Sequence, residues 1–348
     1  MKKNSAKVYI GMSGGVDSSL SATLLVEAGY DVIGVYMKNW TQDLPGMQCP
    51  WAEDLADAKR VAVQLGIPFK VFDFQKEYKH LVVDYMIVEY QAGRTPNPDI
   101  MCNQEVKFGL FLKAALADGA DMIATGHYAQ TKNGELLRAK DANKDQTYFL
   151  YRVTGEALEK SLFPIGHLKK SEVRAEAKKR DLITAGRRES QGICFVGNVG
   201  IKEFLGQYVQ TKPGDIIDQD SGKKIGRHDG AIFYTFGQRH DLGIGGGLPY
   251  YVVGKDMDKN EIYVSTNLNN KEFWRDELKL RDVHWINNPP KANTKYQVRL
   301  RHRAPLLDCT FKNNTIKLAS PERAIAPGQS AVIYAGEVCL GGGIVASK

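Results

Sequence analysis

The chain has 348 residues, 43% of them hydrophobic, and no apolar run approaches the ~20 residues a membrane-spanning helix needs. Its length suits two or three domains, and its net charge of +7, from 47 basic and 40 acidic residues, permits a polyanionic partner without requiring one. Five scattered cysteines with no C-x-x-C pair argue against a secreted disulfide framework and a zinc ribbon, so a cytoplasmic protein without a membrane partner is expected.

Residues 7–130 alternate strand and helix. "KVYIGM" reads as a short strand. "VDSSLSATLLVEAGY" reads as a helix, with Leu20, Leu24 and Leu25 at helical spacing and Gly29 at its C-terminal end. "DVIGVYMKN" is the next strand. "AEDLADAKRVAVQLG" is amphipathic, with Leu55, Val61, Ala62 and Leu65 on one stripe, ended by Gly66 and Pro68. "FKVFDF" is a third strand, "EYKHLVVDYMIVEYQAG" and "EVKFGLFLKAALADGA" are helices, and "DMIATGHYA" is a further strand. This rhythm predicts a Rossmann-like parallel sheet with helices on both faces. Beyond about residue 200 short strands, glycines and turns dominate. We expect a catalytic α/β domain over 1–204, a small β-rich domain over 205–279 and a C-terminal β-barrel over 280–348, with "KNNT" at a hairpin tip.

The first strand runs into "GMSGGVDSS". A strand, a glycine-rich turn and a helix start form an anion site: glycines let the backbone approach a ligand, and the helix's first N–H groups point at it. Ser13, Ser18 and Ser19 add hydroxyl donors, and Asp17 beside a phosphate suggests a nearby Mg2+. The loop lacks the lysine of the Walker pattern and does not fit G-x-G-x-x-G.

Further along, "AGRTPNPDIMCN" reads as a loop extended by its prolines between two helices, carrying Asp99 and Cys102. If Cys102 opens the next helix, the helix dipole favours its thiolate; the competing reading is a small buried cysteine. Cys194 in "ESQGICFVG" also has a polar, glycine-containing setting, whereas Cys309 and Cys339 sit in strand-like runs as small buried residues. Two thiols in polar settings on a chain with such an anion loop suggest sulfur chemistry. In "QVRLRHR", alternation would place Arg299, Arg301 and Arg303 on one open strand face suited to RNA phosphates, or simply on a solvated one.

The loop "SGGVDSS" resembles the PP-loop motif of the N-type ATP pyrophosphatases, which cleave ATP between the α- and β-phosphates and grip the leaving pyrophosphate. With "YMKNW", "ATGHY", "KDQTYFLY", "SLFPIGHLKKSEVR", "GICFVG", "TFGQRHDLGIGG" and "PGQSAVIYAGEVCLGGGI", the chain resembles the tRNA-specific 2-thiouridylase family almost end to end. The resemblance implies an ATP-dependent sulfurtransferase that adenylates the 2-oxygen of the wobble uridine and replaces it with sulfur from a cysteine persulfide. It implies ATP contacts from Gly11, Met12, Ser13, Gly14, Gly15, Val16, Asp17, Ser18, Met37 and Gly126. Cys194 is expected to carry the persulfide, Cys102 to release the sulfur and close a disulfide with Cys194, and Asp99 to act as acid or base. Asn97, Pro98 and Asp99 are expected to touch the target base. His127, Lys144, Asp145, Gln146, Arg301, His302 and Gln329 are expected to touch tRNA. The implied partners are tRNA and a persulfide donor, either a sulfur-relay protein or a cysteine desulfurase, and the enzyme is expected to act as a monomer. Two other readings are another PP-loop enzyme, such as a nitrogen-transferring synthetase, and a non-catalytic RNA-binding protein.

Overall fold

A computed structural model describes residues 5–43, 49–187, 201–245, 249–267, 269 and 273–347. The N-terminal half builds a five-stranded sheet in the order β3-β2-β1-β4-β7, with every pairing parallel. Its strands are β1 (Lys7–Gly11), β2 (Asp31–Lys38), β3 (Phe69–Asp73), β4 (Met122–Ala124) and β7 (Ser161–Leu162). The central strands are apolar on both faces, as a sheet covered by helices requires. The chain moves outward from β1 through β2 to β3, then returns to the other side of β1 as β4. The switch point therefore lies between the ends of β1 and β4, where open α/β sheets bind ligands.

Helices α1 (Val16–Glu27) and α2 (Trp51–Leu65) end at left-handed glycines, Gly29 (φ 85°) and Gly66 (φ 65°). Next, α3 (Gln75–Tyr78) continues through a π-helical stretch, Lys79–Asp84, into α4 (Tyr85–Gln91). A second continuous helix joins α5 (Pro98–Met101), the π-helical Cys102–Leu110 and α6 (Phe111–Ala117). This helix begins several residues before the apolar periodicity does. Pro98 does not extend the loop: it occupies the first helical position, where its missing N–H breaks no bond, and Asn97 caps it by accepting from Asp99 N (3.2 Å).

The second half of the chain is β-rich, as its composition suggests. A four-stranded sheet, β10-β11-β8-β9, comprises β8 (Gly214–Asp218), β9 (Lys224–His228), β10 (Tyr251–Asp256) and β11 (Glu261–Ser265). It packs over Ile216, Tyr234, Val252, Ile262 and Val264. A six-stranded antiparallel barrel follows: β12 (Trp274–Trp285), β13 (Lys295–Arg299), β14 (Leu307–Lys312), β15 (Thr315–Arg323), β16 (Ser330–Ala335) and β17 (Val338–Val345), closed by the β12–β17 pairing. Asn313 and Asn314 turn the β14–β15 hairpin in left-handed conformations.

The barrel is welded to the α/β domain. A hairpin of β5 (Gln130–Lys132) and β6 (Glu135–Leu137) extends the barrel sheet through the pairs Val338–Leu137 and Cys339–Leu136. Tyr148, Leu150 and Tyr151, around α7 (Thr147–Leu150), share one core with Ile286, Val332, Tyr334 and Cys339 of the barrel. Cys309 and Cys339 are buried as expected, and burial raises both thiol pKa values, that of Cys309 to about 12. Among the described residues no helix is long and apolar enough to cross a membrane.

Candidate active site

The switch point gathers every residue of the expected nucleotide set. Met12 N continues the ladder to Val35 O (2.8 Å), so Ser13–Gly15 turn off the sheet edge into α1. Gly14 is left-handed (φ 74°), and a Cβ there would lie 2.6 Å from Asp54 O; only glycine fits. A Cβ on Gly126 would sit 2.7 Å from Ser18 N, so this glycine lets the end of β4 press against the first turn of α1. Met37 covers Gly11 in the same way, its Cε 2.8 Å from the glycine's Cβ position. Met12 and Val16 have buried side chains and present only backbone. The loop thus offers the leading N–H groups of α1, which have no intrahelical partner.

Two expectations about side chains change. Ser18 Oγ and Ser19 Oγ are buried and donate to Gly15 O (3.1 and 2.8 Å), which tightens the turn; Ser13 is the exposed hydroxyl. Asp17 accepts from Lys170 Nζ at both oxygens (2.7 and 2.8 Å) and from the Tyr128 hydroxyl (2.8 Å). Among the described residues no group of three or more His, Cys, Asp or Glu side chains gathers to hold a metal. With Lys170 already on Asp17, these residues do not build a Mg2+ site. Lys170 is the cation the loop itself lacks. It enters on α9 (Lys170–Lys179), more than 150 residues later, and the "HLKK" stretch was the one sequence signal for it.

The second part of the site is the Asn97–Cys102 helix start. Asn97 and Asp99 are half-buried and Pro98 is buried. Cys102 does not open the helix but lies one turn in. It is 1% exposed, among Trp40, Tyr78, Val82, Val106 and Phe204. Cys194 lies outside the described residues, but both flanks of its segment are fixed. Arg187 donates to Gly14 O (3.1 Å) and pairs with Asp54 (2.6 Å) and Asp57, at the nucleotide loop. On the far side, α10 (Ile201–Leu205) sends Phe204 and Leu205 into the cluster around Cys102.

Three family models cover the chain: a tRNA methyl transferase HUP domain over residues 6–198, a tRNA methyl transferase PRC-barrel domain over 202–266 and an aminomethyltransferase beta-barrel domain over 275–345. Their descriptions name methyl transfer, whereas the full-length relatives name thiolation. The tRNA-specific 2-thiouridylase MnmA 2 of Geobacillus kaustophilus is 47% identical over 97% of this chain and 94% of its own length. The tRNA-specific 2-thiouridylase MnmA of Oceanobacillus iheyensis is 48% identical over 99% and 96%, and that of Streptococcus sanguinis 46% over 97% and 95%. The chain belongs to the tRNA-specific 2-thiouridylase family.

The residues that the family resemblance assigns to tRNA divide into buried and open ones. His127 is 8% exposed, takes or gives a hydrogen bond with Thr125 Oγ1 (2.8 Å) and packs against Phe108 and Phe163; burial, then the nearby Lys107, holds its pKa well below 6.5. Asp145 is 1% exposed. It accepts from Arg299 Nη1 (2.9 Å), Thr147 N (3.2 Å) and Thr147 Oγ1 (2.8 Å). It therefore shapes the Lys144–Gln146 loop from inside and does not face solvent. Gln146 exchanges two bonds with Tyr128, its N donating to Tyr128 O (2.9 Å) and its Oε1 accepting from Tyr128 N (2.8 Å), so this loop connects to Asp17 through one tyrosine. Lys144 remains half-buried at the loop.

On the barrel side, β13 ends at Arg299 and the expected open arginine face does not form. Val298 and Leu300 are buried in the barrel core, and Arg299 between them is buried where Asp145 and the Tyr334 ring cover it. Arg301 and Arg303 leave the barrel in the following turn and are exposed. His302 stacks on Phe149 at 4.4 Å, and its pKa falls to about 4 through burial and the arginines beside it. Gln329 Nε2 donates to Thr95 O (2.8 Å), anchoring the loop that leads to Asn97.

Proposed function

We propose that this protein is an ATP-dependent sulfurtransferase that converts the wobble uridine of tRNA to 2-thiouridine. The observation that carries this reading is the end-to-end match to relatives named tRNA-specific 2-thiouridylases, across the sheet, the small β domain and the barrel. ATP enters the crevice between Gly11–Ser18, Met37 and Gly126. The 2-oxygen of the flipped uridine, beside Asn97–Asp99, attacks the α-phosphorus and pyrophosphate leaves. The α1 N-terminus and Ser13 hold the departing phosphates. A uridine carbonyl is a poor electrophile, and adenylation makes its oxygen a good leaving group. The terminal sulfur of a persulfide on Cys194 then attacks C2, with Asp99 handling the proton. Attack of the Cys102 thiolate on the Cys194 sulfur releases the transferred atom. AMP departs, and an external thiol reduces the resulting disulfide. A relay protein or cysteine desulfurase reloads Cys194, and the enzyme works as a single chain.

Unpaired anticodon bases are less demanding to extrude than paired ones, which suits a pocket that must enclose the base. The test is mass spectrometry of tRNA nucleosides after incubation with ATP, a reducing thiol, and a cysteine desulfurase with free cysteine as the persulfide source. Sulfur replacing oxygen on the wobble uridine, together with AMP, is expected; a methyl group, or no change, overturns the reading. Cys194→Ser is expected to abolish thiolation while tRNA affinity stays within a few fold. Normal thiolation by that variant would remove the persulfide role.

A further inference from the structure

A cleft of about 310 Å³ opens where the small β domain, the barrel and the loop before Asn97 meet. From the small domain it takes Thr235 and the turn Phe236-Gly237-Gln238, and from the barrel Arg301, Ala326 and Gln329. We propose that this cleft is a nucleotide subsite, in which Phe236 stacks an unpaired base next to the wobble uridine and Arg301 meets its phosphate or carbonyl oxygens. The proposal rests on the tRNA-thiolating reading above and adds to it a recognition element from the small β domain.

Four observations carry it. First, the cleft adjoins the target-base loop. Gln329 Nε2 donates to Thr95 O (2.8 Å), Thr95 Oγ1 lies 3.1 Å from Thr235 Oγ1, and Thr95 is two residues before Asn97. Second, it is preorganised. Gly237 (φ 86°) lets the small-domain turn approach the barrel, where a Cβ would lie 2.7 Å from the Ala324 methyl. Gly328 (φ 89°) lets the barrel turn approach Thr95, with a Cβ 2.7 Å from Thr95 N. Gln238 holds the turn from within, accepting from Thr235 N (3.0 Å) and donating to His240 O (2.9 Å). Third, Phe236 is half-buried, with Phe273 as its neighbour (centroids 5.4 Å apart), and lines the cleft. Fourth, Arg301 gives one Nη2 to Ala324 O and otherwise stays exposed. An aromatic ring beside a guanidinium in a pocket of this size fits one unpaired nucleotide.

The test uses the full-length enzyme and anticodon stem-loop RNAs that are intact or abasic on either side of the wobble uridine. With wild type, one of the two abasic RNAs is expected to bind about tenfold more weakly. With Phe236→Leu the intact RNA is expected to lose about tenfold, and the abasic penalty to vanish. An unchanged affinity in Phe236→Leu, or an abasic penalty that persists in it, overturns the subsite. If Phe236→Leu unfolds early in a thermal scan, 2-aminopurine at the sensitive position decides with wild type. Quenching on binding beyond that of the free RNA is expected, and unquenched emission overturns the proposal. Thiolation of full-length tRNA by wild type, run in parallel, keeps the two readings distinct: its absence removes the proposed function, whereas its presence without coupling removes only the subsite.

Discussion

The glycine-rich loop and the junction of the three domains are built on opposite principles. The loop is nearly contiguous in sequence: Gly11 to Ser18 form the turn, the exposed hydroxyl and the helix start by themselves, with Met37, Gly126 and Lys170 packed around them. The junction is made of pieces from all three domains, held by Asp145–Arg299, Gln329–Thr95 and Thr95–Thr235. Damage to the first should therefore be chemical and local. Damage to the second should appear in stability and RNA binding together.

The largest effect should separate the two. Lys170→Ala removes the lysine that pairs with Asp17, and AMP formation should fall about a hundredfold, as for loss of a transition-state donor. Affinity for tRNA, measured by filter binding, should stay within a few fold; a parallel loss of binding would show that the loop also holds the RNA. Next, Asp145→Ala strands Arg299 in the shared core. Breaking a buried pair in this way costs about 3–5 kcal/mol, so a clear drop in denaturation midpoint is expected alongside weaker tRNA binding. Unchanged stability would show that the junction is not held from inside.

Acid should act on the junction and the barrel more than on the loop. His127, His228, His284 and His302 all have pKa values lowered chiefly by burial. His228 Nε2, His284 Nε2 and His302 Nδ1 are buried without a hydrogen-bond partner among the described residues. The unfolded chain binds these protons near pH 6.5 and the folded chain only lower, about pH 4 for His302. Their stabilisation is thus complete above pH 6.5 and lost as pH falls toward 4. Urea midpoints should decline over that window, and His302→Gln should flatten part of the decline. Arg301→Ala should have the smallest effect: a salt-dependence slope shallower by about one unit, with AMP formation at saturating tRNA unchanged. An unaltered slope would place the phosphates elsewhere.

Each region was legible to the extent that it is local. "SGGVDSS" could be read directly because a turn, its glycines and a helix start are fixed by adjacent residues. Lys170 was not assigned, because an ion pair between residues more than 150 positions apart leaves no periodicity in either segment. "NPD" reads as extended loop although Asn97 and Pro98 are a cap and a first helical residue; proline stops a helix only from inside it. "QVRLRHR" has the alternation of an open strand, but the strand ends at Arg299, whose side chain turns inward to Asp145.

By itself the sequence determined the α/β rhythm, the pyrophosphate-type loop and the change to β structure near residue 200, because these depend on neighbours within a turn or a strand. Only the tertiary structure decided that Asp145 and His127 are buried, that Cys102 lies inside a helix among aromatics, and that the barrel shares a core with the α/β domain. Burial and pairing are set by what the folded chain brings opposite a residue, and for these residues that partner lies far away along the sequence.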